Sequence, residues 1–212
     1  MARSTKEEAL ETRSRIIDAA EEVMFARGVA QTSLADVADA AGVTRGAIYW
    51  HFKNKADLFE AMVERIRLPL EALMQTPEPQ YKNDPLGHLR TTWVRLLLDV
   101  VHIPRTRRVL DILFLKCELV DPNDTIWIRQ NECYQNWLKT TEGILQQAIS
   151  LDQLPTDLDL KLAVLILHSH ISGMLENWLF SPTTFDLEKV AEPMIDACLD
   201  SLRYAPSLRL KK

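Results

Sequence analysis

The chain has 212 residues, 47% of them hydrophobic, with 25 Lys and Arg against 30 Asp and Glu and a net charge of −5. That length suits one large domain or two small ones, with a sizeable core. The charge excludes a polycation that binds nucleic acid in bulk: residues 1–67 hold ten basic against eleven acidic side chains and the rest fifteen against nineteen, so any affinity for nucleic acid would have to come from a local patch on a defined helix.

Glycine is scarce, strict apolar/polar alternation is absent and no Asn-Gly turn occurs, so the pattern predicts an all-α chain of about nine helices. A first helix runs from about Lys6 to Arg27, burying Ile16, Ala20, Val23 and Met24, and Gly28 closes it. Residues 33–53 then read as two short helices joined by a glycine turn. Leu34, Val37, Ala38 and Ala41 make one apolar stripe, Ser33 caps the first turn, and Asp36 fills the acidic slot of a capping box. Gly42 sits where φ must turn positive, Val43 plugs the gap, and Thr44 caps the second helix. In that helix Ala47, Ile48 and Phe52 face inward, leaving Thr44, Arg45, Gly46, Tyr49, Trp50 and His51 outward.

Large aromatics exposed together mark a binding surface. From Gly42 to Lys55 there are three cations and no acid, which suits a phosphate backbone. The pattern is that of a helix-turn-helix, whose second helix enters the DNA major groove. A helical hairpin with these aromatics in its core is the bland alternative, and the segregated cations weigh against it. Reach assigns Arg45 to a guanine edge, Tyr49 to a phosphate or a thymine methyl, and Trp50 and His51 to phosphates. Lys55 adds charge at the next helix N-terminus. Thr32, Ser33 and Thr44 serve as phosphate contacts or as caps. Gly46 admits the groove or is simply small.

Asn54 caps a fourth helix whose stripe is Leu58, Met62, Ile66, Leu70 and Leu73, and Pro69 is expected to kink or shorten it. Residues 1–54 are expected to form the helix-turn-helix DNA-binding domain and residues 55–212 a larger helical ligand-binding and dimerisation domain. After a proline-marked loop over 75–84, helices follow at about 85–102, 105–116, 121–150, 158–180 and 185–204. Cys117, Cys133 and Cys198 lack any C-x-x-C spacing, which fits reduced thiols rather than a disulfide framework or zinc site. Lys116 beside Cys117 leaves a redox sensor open. The apolar stripes along 158–180 and through Val190, Met194, Ala197 and Leu202 exceed what one small domain needs, which predicts a homodimer.

Trp93, Leu96, Val100, Leu110, Phe114, Trp137, His168, Ile171, Met174 and Trp178 fall at helical spacing, where core packing is the ordinary explanation. Polar residues inside the apolar stretch 162–180 tilt the balance. His168, Ser172 and Glu176 share one face, and a mostly apolar pocket with few polar groups is the usual small-molecule site. Glu176 with Trp93, Phe114 and Trp137 would suit a cationic aromatic compound. His168 and His170 lie two apart and point to different sides, unlike a zinc pair. No cofactor or metal is expected. Hydrolase, Walker, dinucleotide and zinc-protease motifs are absent, which argues against an enzyme. With no membrane-length apolar run and no signal-peptide core, the expected location is the cytoplasm.

The block from Thr44 to Lys55, TRGAIYWHFKNK, resembles the recognition helix of the TetR family of bacterial repressors. More narrowly, it resembles the AcrR/TtgR/MtrR-like group that controls multidrug efflux pump genes. Residues 1–6, 112–118 and 171–180 resemble that group too, so the likeness spans nearly the whole chain. It implies a nine-helix homodimer in which the last two helices pair with a partner's in a four-helix bundle. The middle helices would enclose a ligand pocket at positions matching Leu96, Leu110, Phe114, Trp137, Thr141, His168, Ser172 and Glu176. Ligand binding would shift the fourth helix and release the operator. The expected function is a ligand-responsive repressor that binds near-palindromic, double-stranded operator DNA and is released by small hydrophobic or cationic effectors. An activator, a regulator of unrelated metabolic genes and a protein-binding adaptor are the alternatives.

Overall fold

The structure is a computed structural model that describes residues 2–75 and 79–210. Nine α-helices follow in order: α1 Ala2–Arg27, α2 Leu34–Ala41, α3 Arg45–His51, α4 Lys55–Gln75, α5 Pro85–His102, α6 Pro104–Leu115, α7 Thr125–Ser150, α8 Leu160–Phe180 and α9 Leu187–Tyr204. Short 3-10 turns occupy Pro79–Tyr81 and Pro206–Leu208. Among the described residues no strand forms, and a single antiparallel bridge joins Leu158 to Arg209. The all-α class with its helix-turn-helix is as the sequence predicts. The run 121–124 forms a turn closed by the Asp121 carboxylate on the Asn123 amide (2.9 Å), so α7 starts at Thr125.

The chain gathers into two compact units, residues 1–68 with 105–130, and residues 69–104 with 131–212. A cut at residue 54 divides the molecule differently, because the first half of α4 is part of the first core. There Ile16, Ile17, Ala20 and Met24 of α1 are buried with Val37 and Ala38 of α2, Ile48 of α3, and Phe52. Leu58, Phe59 and Met62 of α4 and Val109 and Ile112 of α6 complete the cluster. Beyond Val63 the α4 stripe opens, and Ile66, Leu70 and Leu73 are only half-buried. Pro69 lies within the helix without ending it, and the division between the units falls immediately before it.

Ion pairs reinforce the first core. The Arg65 guanidinium of α4 donates to Asp18 (2.6 Å) and to buried Glu21 (2.7 Å) on α1. Arg105 of α6 reaches the same two carboxylates, at 2.8 Å and 3.4 Å. A carboxylate taken out of water is tolerated when it is paired and hydrogen-bonded, and Glu21 is met from two helices.

In the second unit α5 packs along α9. Leu86, Leu89, Trp93, Leu97 and Val100 of α5 are buried, as are Ala191, Ile195, Leu199 and Leu202 of α9. Arg90 fastens the pair through Asp196 (2.9 Å) and Glu192 (2.9 Å). The stripe expected along α9 is therefore turned. Leu202 is in the core, whereas Val190 and Met194 are half-buried and Ala197 is exposed.

Candidate nucleic-acid interface and ligand-binding cluster

Local chemistry sets the orientation of α3. The Ser33 side chain accepts the Asp36 amide (3.2 Å) while the Asp36 carboxylate accepts the Ser33 amide (2.9 Å), which closes the capping box of α2. Gly42 ends α2 at φ 64°, a left-handed conformation that costs glycine little. Thr44 caps α3 by accepting the Ala47 amide (3.2 Å). With Ile48 and Phe52 anchored in the core, the opposite face points outward. Trp50 is 73% exposed and Tyr49 60%. Arg45 and Gly46 are exposed as well, and His51 is half-buried.

The Trp50 and His51 rings meet edge to face at 4.5 Å. Burial first, and the positive charge of Arg13 second, hold the His51 imidazole below its ordinary pKa, so it is neutral at pH 7 and offers one N–H. A Cβ added at Gly46 would meet nothing closer than the Thr44 hydroxyl at 3.8 Å, so internal packing does not demand a glycine there.

The flanking residues have internal partners. The Thr32 hydroxyl is buried and donates to the Gly28 carbonyl (2.8 Å). Ser33 and Thr44 are caps. The Lys55 ammonium, read from sequence as a phosphate contact, donates to the carbonyls of Val29 (2.7 Å) and Ala30 (3.1 Å). The start of α4 also holds an anion of its own. The Asp57 carboxylate accepts the Lys53 amide (3.3 Å) and pairs with Arg129 (2.7 Å). Arg45, Gly46, Tyr49, Trp50 and His51 thus share one open surface, and Lys55 is tied to the turn before α2.

The predicted ligand-site residues divide between the two units. Leu110 and Phe114 lie on α6 in the first; Trp93, Leu96, Trp137, Thr141, His168, Ser172 and Glu176 lie in the second. There an aromatic cluster forms, in which Trp93 stands 5.5 Å from Trp137 and Trp137 stands 4.8 Å from His168. Tyr134 also meets His168, with ring centroids 4.7 Å apart. Sequence reading missed Tyr134, although its spacing of three from Trp137 and seven from Thr141 puts all three on one face of α7.

Two polar atoms in this neighbourhood are buried without a hydrogen-bond partner, the Trp93 indole N–H and the Thr141 hydroxyl. Burial pulls the His168 pKa down, and the Ser172 hydroxyl lies 3.4 Å from its Nε2. Glu176, one turn further on, is exposed, so it supplies no buried negative charge.

The redox-sensor option at Cys117 is disfavoured. Burial pushes the Cys117 thiol up to about 11, with Asp124 adding to it, the reverse of an activated thiolate. The Lys116 ammonium is turned elsewhere, to the Phe25 carbonyl (2.7 Å) and 3.7 Å above the Phe25 ring. Among the described residues, no three His, Cys, Asp or Glu side chains are grouped to hold a metal, and no helix is long and apolar enough to cross a membrane.

A capped helix-turn-helix followed along the chain by a helical unit with an aromatic cluster agrees with what comparison finds. The pattern of the tetR family of bacterial regulatory proteins matches residues 16–62, and that of the C-terminal region of MAATS-type transcriptional repressors matches residues 84–204. The HTH-type transcriptional regulator TtgR of Pseudomonas putida is 40% identical over 209 residues, covering 99% of this chain and 100% of its own. The crystal structure of NalD, the secondary repressor of the MexAB-OprM multidrug efflux pump in Pseudomonas aeruginosa, superposes with a TM-score of 0.83 at 33% identity, covering 94% of this chain and 99% of that one. SmeT, the repressor of the Stenotrophomonas maltophilia multidrug efflux pump SmeDEF, is matched in its triclosan complex with a TM-score of 0.81 at 30% identity, over 92% of this chain and 93% of that one. The chain belongs to the TetR family, whose members are transcriptional regulators and not enzymes.

Proposed function

We propose that the chain is a ligand-responsive repressor of multidrug efflux pump genes. It holds a near-palindromic operator as a homodimer through α3 and releases it when a small aromatic compound binds the second unit. Residues 1–54 meet DNA, and residues 55–212 sense and dimerise. The observation that carries this reading is the face of α3: a capped, core-anchored helix that turns Arg45, Tyr49 and Trp50 to the outside. Arg45 reads a base edge, the neutral His51 gives its N–H to a phosphate, and the open space over Gly46 admits the groove. The efflux role is supported by the relatives, since NalD and SmeT both repress such pumps.

The ligand reading is supported by Trp93 and Thr141. A buried polar group without a partner costs about 1–3 kcal/mol, and a ligand that supplies an acceptor removes that cost. With Glu176 in solvent, the site favours a planar aromatic compound bearing an acceptor oxygen over a cation. Dimerisation is supported by the outer face of α8 and α9. Leu165 and Phe180 are exposed there, and Gly173, Met174, Val190 and Met194 line a groove of about 490 Å³. A second copy would cover that apolar surface, and a two-fold protein presents its two α3 helices to mirrored half-sites.

A footprint on the DNA upstream of the chain's own gene tests the proposal. Protection of a near-palindrome that fades with a phenolic aromatic compound is the expected result. Protection with no sequence preference, or none at all, overturns it.

A further inference from the structure

The positive charge around α3 does not all come from α3. Arg13 on α1 places its guanidinium carbon 5.1 Å from the ring centroid of buried Phe52, the residue that ends α3. A guanidinium over an aromatic face is held by the ring quadrupole and loses part of its hydration. It lies close enough to His51 to act on its imidazole, and His51 in turn touches the exposed Trp50. Arg13, His51 and Trp50 are therefore contiguous at the C-terminal end of α3.

Arg13 lacks the counter-ion that five other arginines of the first unit have. Arg27, Arg65, Arg67, Arg105 and Arg129 each have a carboxylate within 3.5 Å. Arg13, Arg15, Arg45 and Arg108 have none among the described residues, and of these Arg13 is the one seated on a ring at the end of α3. The reason is visible in the sequence. The positions three and four residues from Arg13 are Ala9, Leu10, Ile16 and Ile17, all apolar, so no acid along α1 can reach it. Arg15, two residues on, has Glu11 and Asp18 at those spacings, yet it donates to the Ala41 carbonyl (3.4 Å) while Asp18 is taken by Arg65 and Arg105. A fixed, partly desolvated cation without an internal anion, next to the outward face of α3, is arranged for an anion from outside.

We infer that Arg13 is a DNA-anchoring residue that holds a backbone phosphate beside the end of α3 and fixes how the helix sits in the groove. This rests on the reading of α3 as the element that enters DNA. A phosphate contact adds affinity without sequence information, and its loss lowers the number of counter-ions released on binding.

The test compares the full-length wild type with Arg13→Met, Arg13→Gln and Arg13→Lys. Fluorescence anisotropy follows binding to operator and to random duplex between about 50 and 200 mM salt, and melting is recorded on the same samples. Arg13→Met keeps an apolar stem on Phe52 and removes the charge. The expected result is that the Met and Gln variants weaken both duplexes by the same factor and flatten the log–log salt slope by about 0.9 for each phosphate given up. Arg13→Lys keeps the slope. The inference is overturned if Arg13→Met binds with wild-type affinity and slope, which leaves Arg13 only a packing role. It is equally overturned if the loss appears on operator alone, or if it follows the melting temperature across the three variants. A wild type with no preference for operator over random duplex removes the reading of α3 itself, whatever the variants do.

Discussion

The outward face of α3 and the aromatic cluster of the second unit use the same kinds of side chain and leave opposite requirements unmet. At α3 the rings of Tyr49 and Trp50 stand in solvent, with a cation beside them that has no anion. In the second unit Trp93 is buried with Trp137 half-buried against it, and it is polar atoms, the Trp93 N–H and the Thr141 hydroxyl, that have nothing to bond. An exposed aromatic costs little in stability but gains from any flat, charged partner, whereas an orphaned buried donor costs stability until something fills it. On the proposed reading, one surface is met from outside and the other is entered.

The largest expected effect separates the two regions outright. Arg45→Ala should cost operator binding about 1–3 kcal/mol, or roughly 5- to 150-fold, and relax preference at one base pair. Trp50→Ala should weaken binding while shifting stability by no more than about 0.5 kcal/mol, because the ring is solvated. Neither should change affinity for an aromatic ligand, measured by calorimetry. If Trp50→Ala lowers the melting temperature sharply, the ring is structural and the contrast with the second unit fails.

Thr141→Val sharpens the comparison from the other side. The substitution keeps the shape and removes a buried hydroxyl with no partner, so unfolding stability should rise by up to about 1 kcal/mol. Affinity for a ligand that uses that hydroxyl should fall by a similar amount, and operator binding without ligand should be unchanged. Chemical denaturation and calorimetry on one preparation decide it. A destabilised Thr141→Val would mean that the hydroxyl is already bonded, and the argument for an acceptor-bearing ligand would lose half its basis.

What the sequence disclosed follows the range of the forces involved. The geometry of α2 and α3 was legible because the Ser33–Asp36 box, Gly42 and Thr44 act within four residues of themselves. The partners of Lys55 lie 25 and 26 residues upstream in the turn after α1, so sequence reading gave its ammonium to phosphate. The charge pattern of residues 42–55 does not reveal Arg13, because its ring partner Phe52 lies far along the chain at the end of α3. The grouping of α6 with α1 and α4, through Val109, Ile112 and Arg105, depends on contacts that no periodicity reports. On α8 the periodicity correctly brought Ser172 beside His168. It could not tell that the same face becomes exposed by Glu176, since exposure depends on tertiary packing that periodicity does not report.

The smallest effect concerns the pH dependence of the half-buried His168 cluster. His168 is held below its ordinary pKa by burial, and the groups facing it are the ring edges of Tyr134 and Trp137 and the Ser172 hydroxyl, none of them a charge that would favour the imidazolium. Above about pH 6.5 the imidazole is neutral in both folded and unfolded chains and contributes nothing to the balance. As pH falls through that value the unfolded chain takes up the proton first, so folding stability drops, and it goes on dropping until the folded imidazole also protonates. His51 is depressed in the same direction and adds a second, independent part to the same acid limb. His168→Phe keeps an aromatic ring against Tyr134 and Trp137 and cannot titrate, so its stability between about pH 7 and pH 5 should fall less steeply than that of the wild type. The slope that remains should shrink again in His168→Phe/His51→Gln. Parallel acid limbs in wild type and His168→Phe would mean that the folded imidazole takes its proton as readily as the unfolded one. In that event water reaches the cluster, and its aromatic rings are open in the same sense as those of α3.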